Sequence, residues 1–388
     1  MNPLKSQFML DPTITFLNHG SFGATPIPVF ETYQSWQKRL EKQPVLFLGR
    51  EYHNLLFQAR EVLSPYVGTD VNDIVFIPNT TFGVNLIASS LKLNPGDEIL
   101  ASDHEYGACD YTWQFVCQKQ GVTYRKQPIS FPSNSFEEMT DQFWQGVNEK
   151  TKLIFLSHIT SPTAIRFPIE MICAKAHAAG ILTLVDGAHA PGQIPLNFLT
   201  LQTDFYTGNC HKWMLSPKGA GFLYAHPRSQ HLIKPLIVSW GMHIDPVLSS
   251  GSKFVDMLTW TGTHDPAAFL SVPAAIQFMH SNNWVDVSSK CHEELAAFLP
   301  VFSSITGKDH LYPSDQQFGQ MATIELPQLT DYIGIKNALY ADFQIEIPVI
   351  AWNQHHFLRI SYQVYNKISD LEKLYSALKD LIPRFQTK

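Results

Sequence analysis

Residues 153–185 read LIFLSHITSPTAIRFPIEMICAKAHAAGILTLV, and this stretch decides the fold of the chain. Its two ends, Leu153–Ser157 and Ile181–Val185, are almost wholly apolar runs of strand length. Between them, Ile169–Ala179 has the pattern of a helix and is followed by Gly180, a residue type that commonly ends helices. A strand, a helix and a second apolar strand in this order indicate neighbouring parallel strands that are buried on both faces.

The same alternation of strands and helices continues on both sides of this stretch. Further strands are predicted at Ile74–Pro78, Glu98–Ala101, Val122–Ile129, Asp204–Thr207 and Gly221–Tyr224. Helices are predicted at Thr80–Leu91, Cys109–Gln120 and Phe136–Lys150. The fold class that follows is α/β, with a mostly parallel sheet sandwiched between helices.

The pattern changes beyond about Asp265, where a second domain is expected. Two helical stretches there precede three predicted strands and a last helix, at Gln320–Leu326, Glu346–Ile350, Phe357–Tyr362 and Ser369–Phe385. We therefore expect a large domain over residues 31–264 and a smaller C-terminal α+β domain over residues 265–388. Residues 1–30 are rich in Gly and Pro and are expected to lie extended across the cleft between the two domains.

Composition and charge exclude several classes of protein. The 388 residues carry a formal net charge of −6, which gives no sign of a nucleic-acid partner. No stretch approaches the ~18 consecutive apolar residues of a membrane span, and the first residues lack the pattern of a signal peptide. The five cysteines form no CxxC pair, so neither a disulfide scaffold nor a structural zinc site is expected. A reduced, cytoplasmic protein is the plainest interpretation.

Several catalytic motifs are missing from the sequence. His104 and Glu105 begin an HExxH-like string, but Ala108 stands where the second histidine is required. Gly219 and Gly221 lack the third glycine of a dinucleotide-binding loop. There is no P-loop and no GxSxG motif, and the sixteen histidines show no ligand spacing that would predict a metal site.

Three local features remain, and each follows a predicted strand. Asp186 comes directly after the strand that ends at Val185, and Lys212 lies between a histidine and a tryptophan. Thr80 and Thr81 open a predicted helix. Ligands of parallel sheets bind at the carboxyl ends of the strands. A lysine that forms a Schiff base, a carboxylate that keeps a pyridine nitrogen protonated and a helix N-terminus that anchors a phosphate are what pyridoxal 5′-phosphate requires.

Each of these features has a plainer explanation when it is taken alone. Asp186 could be an ordinary turn residue, and Lys212 could be a surface lysine whose amine reaches into solvent. Asn79 or Thr80 could simply cap a helix. The combination of all three at successive strand ends is what favours the cofactor.

Four strings then identify a family. The chain resembles the isopenicillin N epimerase-like branch of the class V aminotransferases, whose members have the fold type I architecture of pyridoxal-phosphate enzymes. The family also includes cysteine desulfurases, C–S lyases and kynureninases. The strings that carry the resemblance are FLNHGSFGA at residues 16–24, DHEYGA at 103–108, DGAH at 186–189 and HKW at 211–213.

The resemblance implies a role for each matching residue near the cofactor ring. Lys212 corresponds to the Schiff-base lysine, and Asp186 to the partner of the pyridine nitrogen. His189 stands where a His or Gln binds the phenolic oxygen of the ring. Tyr106, or as a second choice His104, stands where an aromatic side chain stacks on the ring.

The resemblance also implies how the phosphate is held. Thr80 and Thr81 match the phosphate-binding turn, and His211 precedes the lysine as it does in relatives. Thr263, in the string Trp-Thr-Gly-Thr, matches a loop that reaches the phosphate of the neighbouring subunit. The expected assembly is therefore a homodimer with a shared site. An ordinary turn residue is the alternative for Thr263.

The implied substrate contacts are Arg359, Asn18 and His19. Arg359 corresponds to the arginine that binds the α-carboxylate of the substrate, for which a guanidinium fork is well suited. A surface ion pair is the alternative for this arginine. Asn18 and His19 are expected to border the substrate, or else to serve only a Gly-rich turn.

The reaction expected from this resemblance begins when Lys212 removes the Cα proton of an amino-acid substrate. Proton return to the opposite face gives epimerisation, for which His19 is a candidate acid. Loss of a β-thiolate gives C–S lysis, and proton return at the aldehyde carbon gives transamination. The resemblance favours epimerisation or C–S lysis over transamination and does not separate the first two. The approach to Arg359 carries no cysteine, which disfavours desulfuration through a persulfide. A relative without catalytic activity is a further alternative.

Overall fold

The computed structural model describes residues 4–386 of the chain. The strands of this range are β1 (Thr15–Phe16), β2 (Ile74–Ile77), β3 (Glu98–Ser102), β4 (Thr123–Gln127), β5 (Thr151–Ser157), β6 (Leu182–Gly187), β7 (Phe205–Asn209), β8 (Gly221–Ala225), β9 (Met321–Leu326), β10 (Ile345–Glu346), β11 (Val349–Trp352) and β12 (His355–Ser361).

The α-helices of the same range alternate with the strands from β2 to β6. They are α1 (His19–Phe22), α2 (Ile27–Lys42), α3 (Pro44–Leu46), α4 (Tyr52–Tyr66), α5 (Thr80–Ser90), α6 (Gly107–Gln120), α7 (Phe136–Trp144), α8 (Ile169–Ala178), α9 (Lys253–Thr259), α10 (Ala267–Leu270), α11 (Val272–Ser281), α12 (Trp284–Thr306), α13 (Tyr332–Phe343) and α14 (Ile368–Phe385). None of these described helices has the length and apolarity that a membrane span requires.

The large sheet has seven strands in the order β2-β8-β7-β6-β5-β3-β4. The pairs from β7 to β4 are parallel, whereas β8 is antiparallel to both of its neighbours. Side chains alternate between two hydrophobic clusters, with Phe155 and Leu184 in one and Leu156 and Val185 in the other. Both faces of the sheet are therefore buried, which confirms the predicted α/β class with a mostly parallel sheet.

The small sheet, in the order β11-β12-β9, is antiparallel and packs with the C-terminal helices. The sequence pattern predicted one strand over Glu346–Ile350, but the structure divides it. Residues Ile345–Glu346 pair with β1, and Val349–Trp352 pair with β12. Pro348 lies at the break, and a proline has no N–H group with which to continue a strand.

A second difference concerns α7, which was predicted to reach Lys150. The structure ends it at Trp144. The backbone then turns, with the amide of Gly146 donating to the carbonyl of Phe143. Gly146 lies close to the side chains of Gln127 and Leu100, so a Cβ at this position would collide with them. The helix stops where this close approach begins.

The N-terminal segment, residues 15–23, connects the small sheet to the loop that follows β7 in the large sheet and carries Lys212. Its strand β1 runs parallel to β10, and the amide of Gly20 donates to Ser361 Oγ at 3.0 Å. Gly23 has a φ of 72° and lies so close to the carbonyl oxygen of His211 that a side chain would not fit. The segment is extended over β1 and then forms the short helix α1.

Candidate active site

A cavity of about 790 Å³ opens at the carboxyl edge of the large sheet, between that sheet, the N-terminal segment and the small sheet. Residues from all three parts of the fold line it. Most of the residues that sequence reasoning selected lie on its wall. These are Thr80, Thr81, Tyr106, Asp186, His189, His211, Lys212 and Arg359.

Lys212 follows β7 in a short loop, and its side chain faces the cavity in part. Its Nζ lies 3.2 Å from Nε2 of His189. Burial, aided by the positive charge of Arg359, lowers the pKa of Lys212 from 10.5 to about 7, while Asp186 opposes the shift. A lysine with such a pKa is a neutral amine for much of the time near pH 7, so it can attack a carbonyl or accept a proton.

Asp186 lies near the end of β6, where it is buried. Its Oδ1 accepts a hydrogen bond of 2.8 Å from the amide of Ala188, and its Oδ2 lies 3.5 Å from the thiol of Cys109. Burial raises the pKa of Asp186. A thiol is a weak donor, so Oδ2 of this buried carboxylate lacks a strong partner and suits a protonated ring nitrogen.

The N-terminus of α5 forms another polar part of the cavity wall. Asn79 caps the helix, with Oδ1 accepting from the amide of Phe82 at 2.9 Å, and Thr80 donates its amide to Asn209. Thr80 Oγ1 is buried and has no hydrogen-bond partner among the described residues. A buried unpaired hydroxyl beside a helix N-terminus is what a bound phosphate would satisfy. Thr81 lines the cavity one residue further on.

Two histidines flank the lysine. Nδ1 of His189 accepts a hydrogen bond of 3.4 Å from the indole of Trp213, and its Nε2 faces Lys212. His211 Nδ1 lies 3.1 Å from the carbonyl oxygen of Ala220. Burial is the main cause that lowers the pKa of His211, to about 4, so this ring is neutral at pH 7.

Arg359 lies on β12 of the small sheet and contributes a positive charge to the wall of the cavity. One terminal nitrogen donates to the carbonyl and the hydroxyl of Ser161, at 2.7 and 3.0 Å, and the other donates to Ser21 Oγ at 3.2 Å. Its Nε is buried without a partner, and no carboxylate in the described chain forms an ion pair with it. Burial lowers its pKa to about 10, so the group remains charged at pH 7. An unpaired buried guanidinium is suited to bind the carboxylate of a ligand.

Tyr106 and His104 differ in their access to the cavity. Tyr106 lines the cavity and is 47% exposed. His104 is buried, and its ring nitrogens lie 2.8 Å from Thr163 Oγ1 and 3.1 Å from the carbonyl oxygen of Ile129. Of the two aromatic candidates for stacking, Tyr106 is the one that a flat ligand in the cavity can reach.

Three of the selected residues lie away from the wall of the cavity. Asn18 donates to Glu346 Oε1 at 2.9 Å, and Thr263 lies exposed in the loop after α9. His19 is buried, with Nδ1 2.9 Å from the hydroxyl of Tyr365 and Nε2 3.1 Å from the backbone oxygen of Lys212. Both nitrogens of His19 therefore already have hydrogen-bond partners.

Sequence reasoning passed over Glu105, which lines the cavity. Its carboxylate accepts hydrogen bonds from Ser102 Oγ at 2.5 Å and from the amide and hydroxyl of Ser157 at 2.9 and 2.6 Å. Burial raises its pKa to about 8. In the sequence, Glu105 stands in the failed zinc motif and in the DHEYGA string, and neither assigns it a role. Its position three residues after the buried strand β3 is the feature of the sequence that could have indicated a place at the cavity.

Comparison with the sequences of known proteins gives three findings. A family model described as aminotransferase class-V matches residues 25–374. Isopenicillin N epimerase from Amycolatopsis lactamdurans is 34% identical over 97% of both chains. L-cysteine desulfhydrase from Arabidopsis thaliana is 25% identical over 94% of this chain and 87% of its own length.

A solved structure, that of the cystine C–S lyase C-DES with cysteine persulfide, has a TM-score of 0.82 to this chain at 22% identity. The match covers 97% of this chain and 99% of the other. The similarity shows that the two share a fold, and the C-DES fold binds pyridoxal phosphate. The chain therefore belongs to the class V aminotransferase family, as a pyridoxal-phosphate-dependent enzyme of its isopenicillin N epimerase-like branch.

Proposed function

We propose that the protein epimerises an amino acid or an amino-acid-derived substrate at Cα, with isopenicillin N as the model substrate. The observation that carries the proposal is the buried guanidinium of Arg359, which has no carboxylate partner in the described chain. The α-carboxylate of a substrate would supply that partner. The relative that is 34% identical over 97% of both chains is an epimerase, which favours this reaction.

The site residues then have distinct roles. Pyridoxal phosphate, when bound, stabilises negative charge at the Cα of the substrate. Lys212 accepts the Cα proton, since about half of its amine is neutral near pH 7, and a proton from solvent returns to the opposite face of Cα to complete the inversion. Asp186 holds a proton at the pyridine nitrogen, and the N-terminus of α5 with Thr80 and Thr81 holds the phosphate. Arg359 holds the α-carboxylate so that the Cα–H bond stays directed at the lysine.

C–S lysis is the second candidate, because an L-cysteine desulfhydrase is 25% identical over 94% of this chain. Desulfuration through a persulfide is disfavoured, since all five cysteines are buried and none of them lines the cavity among the described residues. Burial also raises the pKa of Cys109, the cysteine beside Asp186, which keeps its thiol protonated.

One assay separates the two candidates. The purified holoenzyme is incubated in D₂O with isopenicillin N and, separately, with L-cysteine. We expect isopenicillin N to gain deuterium at Cα together with the inverted configuration, and L-cysteine to yield neither pyruvate nor sulfide. Pyruvate and sulfide from L-cysteine, without Cα inversion of either compound, would assign the enzyme to the lyases instead.

We further infer a homodimer in a reducing, cytoplasmic compartment. Apolar side chains are exposed within residues 236–248, with Val238, Trp240 and Val247 each more than 70% exposed. Phe22, at the cavity, is 72% exposed. Exposed apolar side chains of this size support burial against a second copy. The five cysteines are free, which agrees with a reducing environment.

A further inference from the structure

The indole of Trp213 donates a hydrogen bond to the ring of His189. Its Nε1 lies 3.4 Å from Nδ1 of His189. An indole nitrogen can only donate, because it always carries its hydrogen and has no available lone pair. Nδ1 of His189 must therefore be the acceptor, and it cannot carry a proton while this bond exists.

The surroundings of His189 keep its ring neutral. Burial is the first cause that lowers its pKa well below the usual value, and four basic groups act in the same direction. These groups are Lys212, Arg359, His211 and His19. A neutral imidazole carries one proton. Since Nδ1 has none, the proton is on Nε2, the nitrogen that lies 3.2 Å from Nζ of Lys212.

We propose that Trp213 is a positioning residue that holds His189 as the Nε2–H tautomer, so that this N–H points to the amine of Lys212 and to the cofactor position beside it. The proposal rests on the roles given above to Lys212 and His189. With the N–H on His189, the lysine nitrogen must accept, and only a neutral amine has a lone pair to do so. Trp213 thereby helps to keep Lys212 in its reactive form.

The indole is itself held by the N-terminal segment. Trp213 is fully buried, and the ring of His19 packs against it with the ring centroids 4.8 Å apart. His19 is held by the hydroxyl of Tyr365 and by the backbone oxygen of Lys212. This packing gives His19 a structural reason to be present even though it does not line the cavity among the described residues.

The test uses Trp213→Phe, which keeps a flat ring and removes the N–H donor. Trp113→Phe is the matched control, because Trp113 is equally buried and its Nε1 has no hydrogen-bond partner among the described residues. Holoenzyme labelled with ¹⁵N-histidine is studied by NMR, with His189→Gln used only to assign the His189 signals. A second readout is the pH midpoint of the visible absorbance of the bound cofactor.

In the wild type and in Trp113→Phe, we expect an unprotonated Nδ1 and a protonated Nε2 on His189. In Trp213→Phe, the two tautomers should exchange, and the absorbance midpoint should move by a few tenths to about one pH unit, as the loss of one hydrogen bond implies. If Trp213→Phe matches Trp113→Phe in both readouts, Trp213 only fills space and the proposal is wrong.

The measurement on the wild type decides the question by itself if Trp213→Phe does not fold. A proton on Nδ1 of His189 in the wild-type holoenzyme would overturn the proposal. This proposal and the proposed function can fail separately. A protein that retains its cofactor absorbance and epimerises its substrate can still carry the proton of His189 on Nδ1.

Discussion

At the scale of single residues, the lowered pKa of Lys212 predicts how the apoprotein takes up its cofactor. Only a neutral amine attacks an aldehyde, so the rate of uptake should rise with pH and reach half its plateau near pH 7. Arg359→Met should move that midpoint upward, because Arg359 lowers the pKa of the lysine. Stopped-flow absorbance measures the rate. Lys150→Ala, at an exposed lysine outside the cavity, is the control. A wild-type midpoint near 10 would contradict the prediction.

Arg359→Lys should weaken substrate binding while the cofactor remains bound. Lysine keeps the charge but cannot donate from two fixed nitrogens at once. Loss of one charge-assisted hydrogen bond, about 1.5–3 kcal/mol, corresponds to a KM that is roughly 10 to 100 times higher. Steady-state kinetics measure KM, and the visible absorbance of the cofactor checks that it is retained. An unchanged KM would show that the carboxylate is bound elsewhere.

Glu105 should make the stability of the protein depend on pH. Its pKa is raised from 4.5 to about 8 in the folded state, so between these values the folded state holds a proton that the unfolded state has released. Stability from this group therefore falls as pH rises through that window, with a slope of at most about 1.4 kcal/mol per pH unit.

Glu105→Gln removes this titration. The Tm of the variant minus the Tm of the wild type should therefore increase between pH 5 and pH 8. The control is Glu149→Gln at an exposed turn, for which no such trend is expected. A difference in Tm that is constant over this range would contradict the raised pKa.

At the scale of the elements, two helix caps allow the effect of a cap on cofactor binding to be separated from its effect on folding stability. Asn79 caps α5 at the cavity, and Ser135 caps α7 outside it, with Oγ accepting from the amide of Glu138 at 3.1 Å. Each substitution by alanine should cost about 1 kcal/mol of folding stability. Only Asn79→Ala should also weaken the binding of pyridoxal phosphate, measured by titration of the apoprotein. Equal affinities in the two variants would argue against a phosphate at α5.

The strands of the large sheet could be predicted because burial on both faces leaves continuous apolar runs, as in Leu153–Ser157. The small sheet was harder to predict. The run Glu346–Ile350 is apolar throughout its centre, but its second half forms a hairpin with β12, whereas its first half pairs with β1, far away in the sequence. Such pairing depends on tertiary contacts, which local patterns do not contain.

The site residues also divide into those that the sequence could predict and those that it could not. Asp186 and Lys212 could be predicted, since the end of an apolar strand is recognisable in the sequence and their strings resemble those of a family. The partners of Arg359 could not, because Ser21 and Ser161 lie 338 and 198 residues away from it. Glu105 was missed because Ser157, which donates two of its hydrogen bonds, lies 52 residues away in the sequence.

At the scale of the whole molecule, the exposed apolar side chains of residues 236–248 predict that one charge introduced among them disrupts the dimer. Trp240→Asp should convert the proposed dimer into monomers, because a carboxylate is costly to bury without a partner. Val285→Asp, on α12 at a side chain that is 77% exposed, should leave the dimer intact. Analytical ultracentrifugation measures the mass. A wild-type chain that sediments at 43.9 kDa would contradict the dimer itself.

The contact between His19 and the carbonyl of Lys212 has a consequence for biosynthesis. The residues that surround this contact are far apart in the sequence, since β1 pairs with β10 and Gly20 with Ser361. A ribosome must therefore release residues 345–361 before these segments can meet. Vitamin B6 would be captured after translation rather than during it, and nascent chains stalled before residue 345 should remain without cofactor.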